Sequence, residues 1–111
     1  MFGAYNKRIK DNRTANDWLT KDTKIVDEYL SDPKCSYKFT ANAYIGFLNV
    51  IKYDIDKKNI AKTPDKLPVL FASGLEDPVG DYGKGVKKAF KMYTKYVDNV
   101  ELYLYEDDRH E

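Results

Sequence analysis

Two residues with proton-transfer chemistry stand at matching places in the chain. Asp77 follows an apolar run, in Ser73-Gly-Leu-Glu-Asp-Pro-Val-Gly80, and His110 follows an alternating one, in Tyr105-Glu-Asp-Asp-Arg-His-Glu111. If the two runs are neighbouring parallel strands, their carboxyl ends carry both loops to one edge of the sheet, where functional groups gather. A carboxylate there accepts a hydrogen bond from the imidazole Nδ1–H, sets the tautomer and stabilises the imidazolium, leaving the other nitrogen as a general base. Each residue also has a plainer reading. An Asp before Pro in a glycine-rich turn bonds nearby backbone amides, and a lone histidine near a C-terminus is commonly a solvated surface residue.

The elements that must position these two residues follow from hydropathy. Pro68-Val-Leu-Phe-Ala-Ser73 is a continuous apolar run closed by Gly74, which reads as a strand buried on both faces. Val100-Glu-Leu-Tyr-Leu-Tyr105 alternates and reads as a second strand. A helix from about Tyr82 to Tyr96 lies between them, with Val86, Phe90, Tyr93 and Val97 inward and Lys84, Lys87, Lys88, Lys91 and Lys95 outward as a solvent face. Strand, helix, strand is a crossover unit, so the strands are expected to be parallel. One helix cannot cover both faces and both edges of a parallel pair, so this half is expected to be the edge of a larger α/β sheet whose remaining strands lie outside these residues.

The first half reads as helical. Thr20 is expected to cap a helix running to about Leu30, where Asp32-Pro33 stops it. Thr40 caps a second, with Tyr44, Ile45, Phe47, Leu48, Ile51 and Ile55 at three- and four-residue steps, ended by Asn59 to Pro64. Residues 5–18 are polar and irregular, anchored by Trp18-Leu19. The seam between the halves is Thr63-Pro-Asp-Lys-Leu-Pro68, and the charge divides there: +4 over residues 1–66 and −3 over residues 67–111.

The overall balance of 19 basic and 18 acidic residues argues against a nucleic-acid binder, which needs a clear cationic excess. The single Cys35 excludes an internal disulfide framework and a multi-cysteine zinc site, and the single His110 any site needing two imidazoles. The longest charge-free stretch, Phe39 to Ile51, is too short for a transmembrane helix. Met1 to Arg8 has no apolar run of the secretory kind, so a reducing, cytoplasmic setting is expected. Asp54-Ile-Asp56 and Glu106 to Asp108 read as solvated acidic runs, and the glycines of Gly80-x-x-Gly83-x-Gly85 as helix-start geometry.

These residues carry a family resemblance. Ser73-Gly-x-Glu-Asp-Pro-Val-Gly80 after a buried strand, then Gly83-Lys-Gly-Val86, the Leu-Tyr pairs of the last strand and Arg109-His-Glu111 resemble the C-terminal part of a serine α/β-hydrolase. The group is that of the monoacylglycerol lipase and lysophospholipase-like enzymes, also called serine aminopeptidase-like. Tyr5-Asn-Lys-Arg8, Arg13-Thr14, Asp17-Trp-Leu19, Val26-Asp27 and Asp32-Pro-x-Cys35 resemble the lid insertion of bacterial members.

The resemblance implies an α/β chain made of residues 1–62 as a helical lid and residues 63–111 as the C-terminal βαβ part of the hydrolase core. It implies carboxylic ester hydrolysis through an acyl-enzyme, with Asp77 as the acid and His110 as the base of the triad. No cofactor or metal is implied. The family's chain order is serine, acid, histidine, and only the last two are matched. Ser31, Ser36 and Ser73 all lack the flanking glycines of a Gly-x-Ser-x-Gly elbow, and Cys35 lies far from any elbow pattern. The implied partners are a lipid or small ester, a complementing N-terminal half and, peripherally, a membrane surface. The alternative is a non-catalytic truncated remnant that binds or dimerises through its exposed sheet edge.

Overall fold

The computed structural model describes residues 4–35 and 37–111, so Ser36, one of the three serines weighed above, lies outside the described residues. After a 3-10 turn at Tyr5–Arg8 come helices α1 (Thr23–Ser31), α2 (Ala41–Asp54) and α3 (Lys57–Ile60). Strand β1 (Val69–Gly74), helix α4 (Lys84–Tyr93) and strand β2 (Val100–Tyr105) complete the order.

The strands pair in parallel, Val69 with Val100 through Gly74 with Tyr105, as a crossover helix requires. Val69, Phe71, Ser73, Val100, Leu102 and Leu104 form the face that α4 covers, and the Phe71 and Tyr93 rings meet edge to face at 5.3 Å. The other face is open. Leu70, Tyr103 and Tyr105 are each more than half exposed. The continuous apolar run at 68–73 is expected from a strand covered on both faces, yet among the described residues only one face is covered.

Helix α2 tells the same story. Thr40 caps it as expected, its hydroxyl accepting from the Ala43 amide at 3.2 Å. None of its residues is buried, and Ile45, Phe47, Leu48, Val50 and Ile55 stand in solvent. Among the described residues the buried apolar side chains are Leu19, Val26, Ile60 and Val97, three before the seam and one after it. The Cα radius of gyration is 16.3 Å, against about 13 Å for a compact chain of 100 residues.

Three sequence expectations shift at element ends. The cap of α1 is Asp22, whose carboxylate accepts from the Lys24 amide at 2.9 Å, and not Thr20. Thr20 is buried, and its backbone carbonyl accepts from Arg109 instead. Helix α2 ends at Asp54, before Asn59, because Asp56 caps a separate short helix, its carboxylate taking the Lys58 amide at 2.9 Å. Helix α4 starts two residues late: Asp81, Tyr82 and Gly83 all have positive φ (50°, 54° and 81°), which no helix accommodates. The guanidinium of Arg8 lies 3.4 Å from the centre of the Tyr82 ring and braces that turn from the first half of the chain.

Candidate active site

The two loops beyond the strands leave the sheet as a pair. The Leu75 amide donates to the Tyr105 carbonyl at 2.8 Å and the Glu76 amide to the Asp108 carbonyl at 2.9 Å, extending the strand pairing past both strand ends. Gly74 makes this approach sterically feasible, since a Cβ there would overlap the backbone carbonyls of Asp108 and Arg109.

Asp77 and His110, 33 residues apart, meet where those loops diverge. Asp77 Oδ2 lies 3.0 Å from His110 Nδ1. The other carboxylate oxygen, Oδ1, accepts from the Val79 amide at 2.8 Å. Turn chemistry and the imidazole contact, set out above as rival readings, thus occupy one oxygen each. Asp77 is buried, whereas the His110 side chain is 38% exposed. Turn bonds from the Asp77 amide to Gly74 and from the Tyr82 amide to the Asp77 carbonyl fix the acid's backbone. With Nδ1 held by the carboxylate, Nε2 is the nitrogen left to exchange a proton.

The helical half reaches this point through a segment that the sequence did not single out as functional. The Trp18 ring lies 5.3 Å from the His110 ring at 50°. Arg109 Nη1 donates to the Asp17 carbonyl at 2.7 Å and to the Thr20 carbonyl at 3.1 Å, and the Glu111 amide donates to the Leu19 carbonyl at 2.8 Å. The signals that pointed here were the Trp18-Leu19 anchor in a polar stretch and the lid-like Asp17-Trp-Leu19 motif. Arg109 Nε is enclosed without a hydrogen bond, 3.8 Å from Glu76 Oε2, which also pairs with Lys21 at 3.2 Å.

Asp17, named in the sequence only as part of a lid-like motif, has a structural task of its own. Its buried carboxylate accepts from the Arg13 amide, the Thr14 amide and the Thr14 hydroxyl, closing the 13–17 turn. Burial by itself would raise its pKa. The Thr14 and Arg13 hydrogen bonds and the Arg13 charge outweigh that and hold the carboxyl below its ordinary value. A lowered folded-state value means the carboxylate stabilises the fold above the unfolded value, at about pH 4, and that this contribution drains away as pH falls through the folded value. Asp17→Asn is therefore expected to destabilise the chain more at pH 6 than at pH 2, read by urea denaturation at both. An equal deficit at the two pH values would show that the ionised form contributes nothing.

On the far side of Trp18 lies a cavity of about 580 Å3 lined by Trp18, Tyr29, Cys35, Tyr37, Phe39 and Tyr44, among others. Tyr37, Phe39 and Tyr44 pack edge to face at 5.2 and 5.4 Å, so its wall is aromatic. Cys35 is half-buried in that wall. Among the described residues no cluster of three or more His, Cys, Asp or Glu side chains is arranged to hold a metal ion, and no helix is long and apolar enough to cross a membrane.

Parallel strands joined through one helix, with an acid and an imidazole meeting beyond their carboxyl ends, are the arrangement expected of the C-terminal part of an α/β-hydrolase. The whole chain, residues 1–111, matches the family described as Serine aminopeptidase, S33, and belongs to it. It is similar in structure to a highly thermostable carboxyl esterase from Bacillus coagulans, solved in complex with glycerol (28% identity, TM-score 0.85), over 99% of this chain and 36% of the esterase. It is likewise similar to a lipase in its open form (30% identity, TM-score 0.75), over 100% of this chain and 36% of the lipase. The chain thus spans about a third of the length of the solved structures it matches. No curated protein matches it significantly.

Proposed function

We propose that these residues are the lid and C-terminal core part of a serine hydrolase acting on carboxylic esters, of the lysophospholipase or monoacylglycerol lipase type. The observation that carries the reading is the 3.0 Å contact between Asp77 Oδ2 and His110 Nδ1 at the strand ends. Residues 1–62 are the lid and residues 63–111 the βαβ unit of the core. In the complete fold a serine attacks the ester carbonyl while His110 Nε2 takes its proton; the imidazolium then returns it to the leaving alkoxide, and a water repeats the cycle to release the acid. Asp77 holds the ring in the Nδ1–H tautomer and stabilises its charged form.

The nucleophile comes from the N-terminal part of the hydrolase fold, since no serine in these 111 residues has elbow glycines around it. The uncovered face of Leu70, Tyr103 and Tyr105 and the apolar surface of α2 support an N-terminal part packed against them. The aromatic cavity beside Trp18 supports an acyl chain as the apolar portion of the substrate. A cytoplasmic enzyme touching lipid surfaces peripherally fits both features.

The test is ester turnover with p-nitrophenyl acyl esters. The 111-residue chain alone is expected to be inactive, and the chain completed by a serine-bearing N-terminal part of the family is expected to be active. Turnover by the isolated chain that survives His110→Ala would sink the mechanism. The two-stranded sheet, each strand with an unpaired edge among the described residues, also favours a second reading, a module without catalysis that binds or dimerises through that edge. A stable dimer in size-exclusion chromatography, combined with no turnover after completion, is the outcome that selects it.

A further inference from the structure

We propose that Arg109 is a positioning residue that clamps the Asp17-Trp-Leu-Thr20 segment and thereby holds Trp18 against the His110 ring. The inference rests on the Asp77–His110 reading above and adds to it a second restraint on the imidazole.

The residues flanking His110 on either side bind three carbonyls from four consecutive residues. Arg109 Nη1 takes those of Asp17 and Thr20 at 2.7 and 3.1 Å, and the Glu111 amide takes that of Leu19 at 2.8 Å. Trp18, the one member of that segment whose carbonyl is not among them, instead presents its ring to His110 at 5.3 Å. Its amide is held separately by Asn6 Oδ1 at 3.0 Å. The segment is itself shaped from behind, because the Asp17 carboxylate draws the Arg13 and Thr14 amides into a closed turn.

A partly exposed imidazole with one hydrogen bond retains rotational freedom about its side-chain torsions. Asp77 restrains Nδ1 alone, and a contact on the ring face removes the remaining swing. An apolar side chain at position 109 would serve packing just as well. What the guanidinium adds is two directed donors on one nitrogen, aimed at carbonyls 92 and 89 residues away in sequence. The clamp therefore sets an orientation, and the orientation it sets is that of the Trp18 ring. The positively charged group is kept enclosed, its side chain 17% exposed, with Glu76 as its only nearby carboxylate among the described residues.

His110 is the sole histidine, so imidazole nitrogen NMR of the isotope-labelled full chain reads it directly. At alkaline pH the parent is expected to show the Nδ1–H tautomer, with His110 ring protons displaced by the Trp18 ring current. Asp77→Asn should switch the tautomer. Arg109→Met, which keeps length and loses the donors, should lose both the Nδ1–H signal and the ring-current displacement although Asp77 is intact. If Arg109→Met retains both while Asp77→Asn still switches the tautomer, the clamp is overturned and the dyad stands. If Asp77→Asn changes nothing, the dyad reading fails and the clamp with it. Should Arg109→Met not fold, the parent decides: displacement of the His110 ring protons that Trp18→Leu abolishes supports the proposal, and no displacement in the parent overturns it.

Discussion

His110→Ala is expected to lower kcat/KM for ester hydrolysis by the serine-completed fold by at least about 10^4-fold, with the loss in kcat. Without the imidazole, the serine has no base for its proton and the leaving alkoxide has no acid, so both barriers of the acyl-enzyme cycle rise. A 10^4-fold loss corresponds to about 5.4 kcal/mol of transition-state stabilisation. Asp77→Asn is expected to approach the same loss, about 10^4-fold, although the residue never touches substrate. Its amide can donate to Nδ1, which favours the Nε2–H tautomer and leaves no lone pair for the serine proton. The geometry makes a further distinction: Asp77 Oδ1 also accepts the Val79 amide, so Asp77→Asn must satisfy the turn with its carbonyl oxygen, which forces the NH2 toward His110. Initial rates on a soluble ester, measured for the parent and both variants, check this. A loss under tenfold in either variant would remove that residue from the proton relay.

Gly74→Ala is expected to produce the largest change in stability of the Gly→Ala changes at the described glycines, about 3 kcal/mol or more than a hundredfold in the folded-to-unfolded ratio. The added Cβ would collide with the carbonyls of Asp108 and Arg109, which are backbone and cannot turn aside as a side chain would. Relief requires the 106–111 loop to lift from the end of β1, breaking the bond from the Glu76 amide to Asp108. That same movement withdraws His110 from Asp77, so turnover by the completed fold should fall together with stability. Denaturant midpoints and ester turnover of Gly74→Ala measure the two effects. A variant within about 0.5 kcal/mol of the parent would show that the strand ends are not packed as closely as described.

Both predictions concern residues that stand out in the sequence, and the reason is local. Asp77 and His110 each follow a strand whose hydropathy pattern is strong, and Pro68 and Gly74 punctuate the first of them. Strand ends are where parallel sheets gather reactive groups, so knowing the strands is enough to nominate the loops. The caps were legible in part. Thr40 caps α2 as expected, although Asn42 stands two residues on. Thr20 and Asp22 compete two residues apart; the Thr20 hydroxyl accepts from the Asp22 amide at 3.3 Å, and the Asp22 carboxylate caps the helix.

The contacts that escaped notice escaped for a physical reason. Backbone carbonyls accept whatever residue carries them, so Asp17, Leu19 and Thr20 bear no mark of the donors that reach them from Arg109 and Glu111. The late start of α4 is similar, because nothing in the types Asp81 and Tyr82 announces positive φ, and Arg8, which braces Tyr82, lies in the other half of the chain.

By itself, then, the sequence determined the strand-helix-strand order of the second half, its parallel pairing, the two residues at the strand ends and the family, since each depends on hydropathy, turn residues or short motifs that operate over a few positions. Only the tertiary structure decided that one Asp77 oxygen serves the turn while the other meets the imidazole, that Trp18 faces His110, and that Arg109 ties the two halves together. Those are contacts between segments dozens of residues apart, made by directional groups whose partners exist only once the chain has closed.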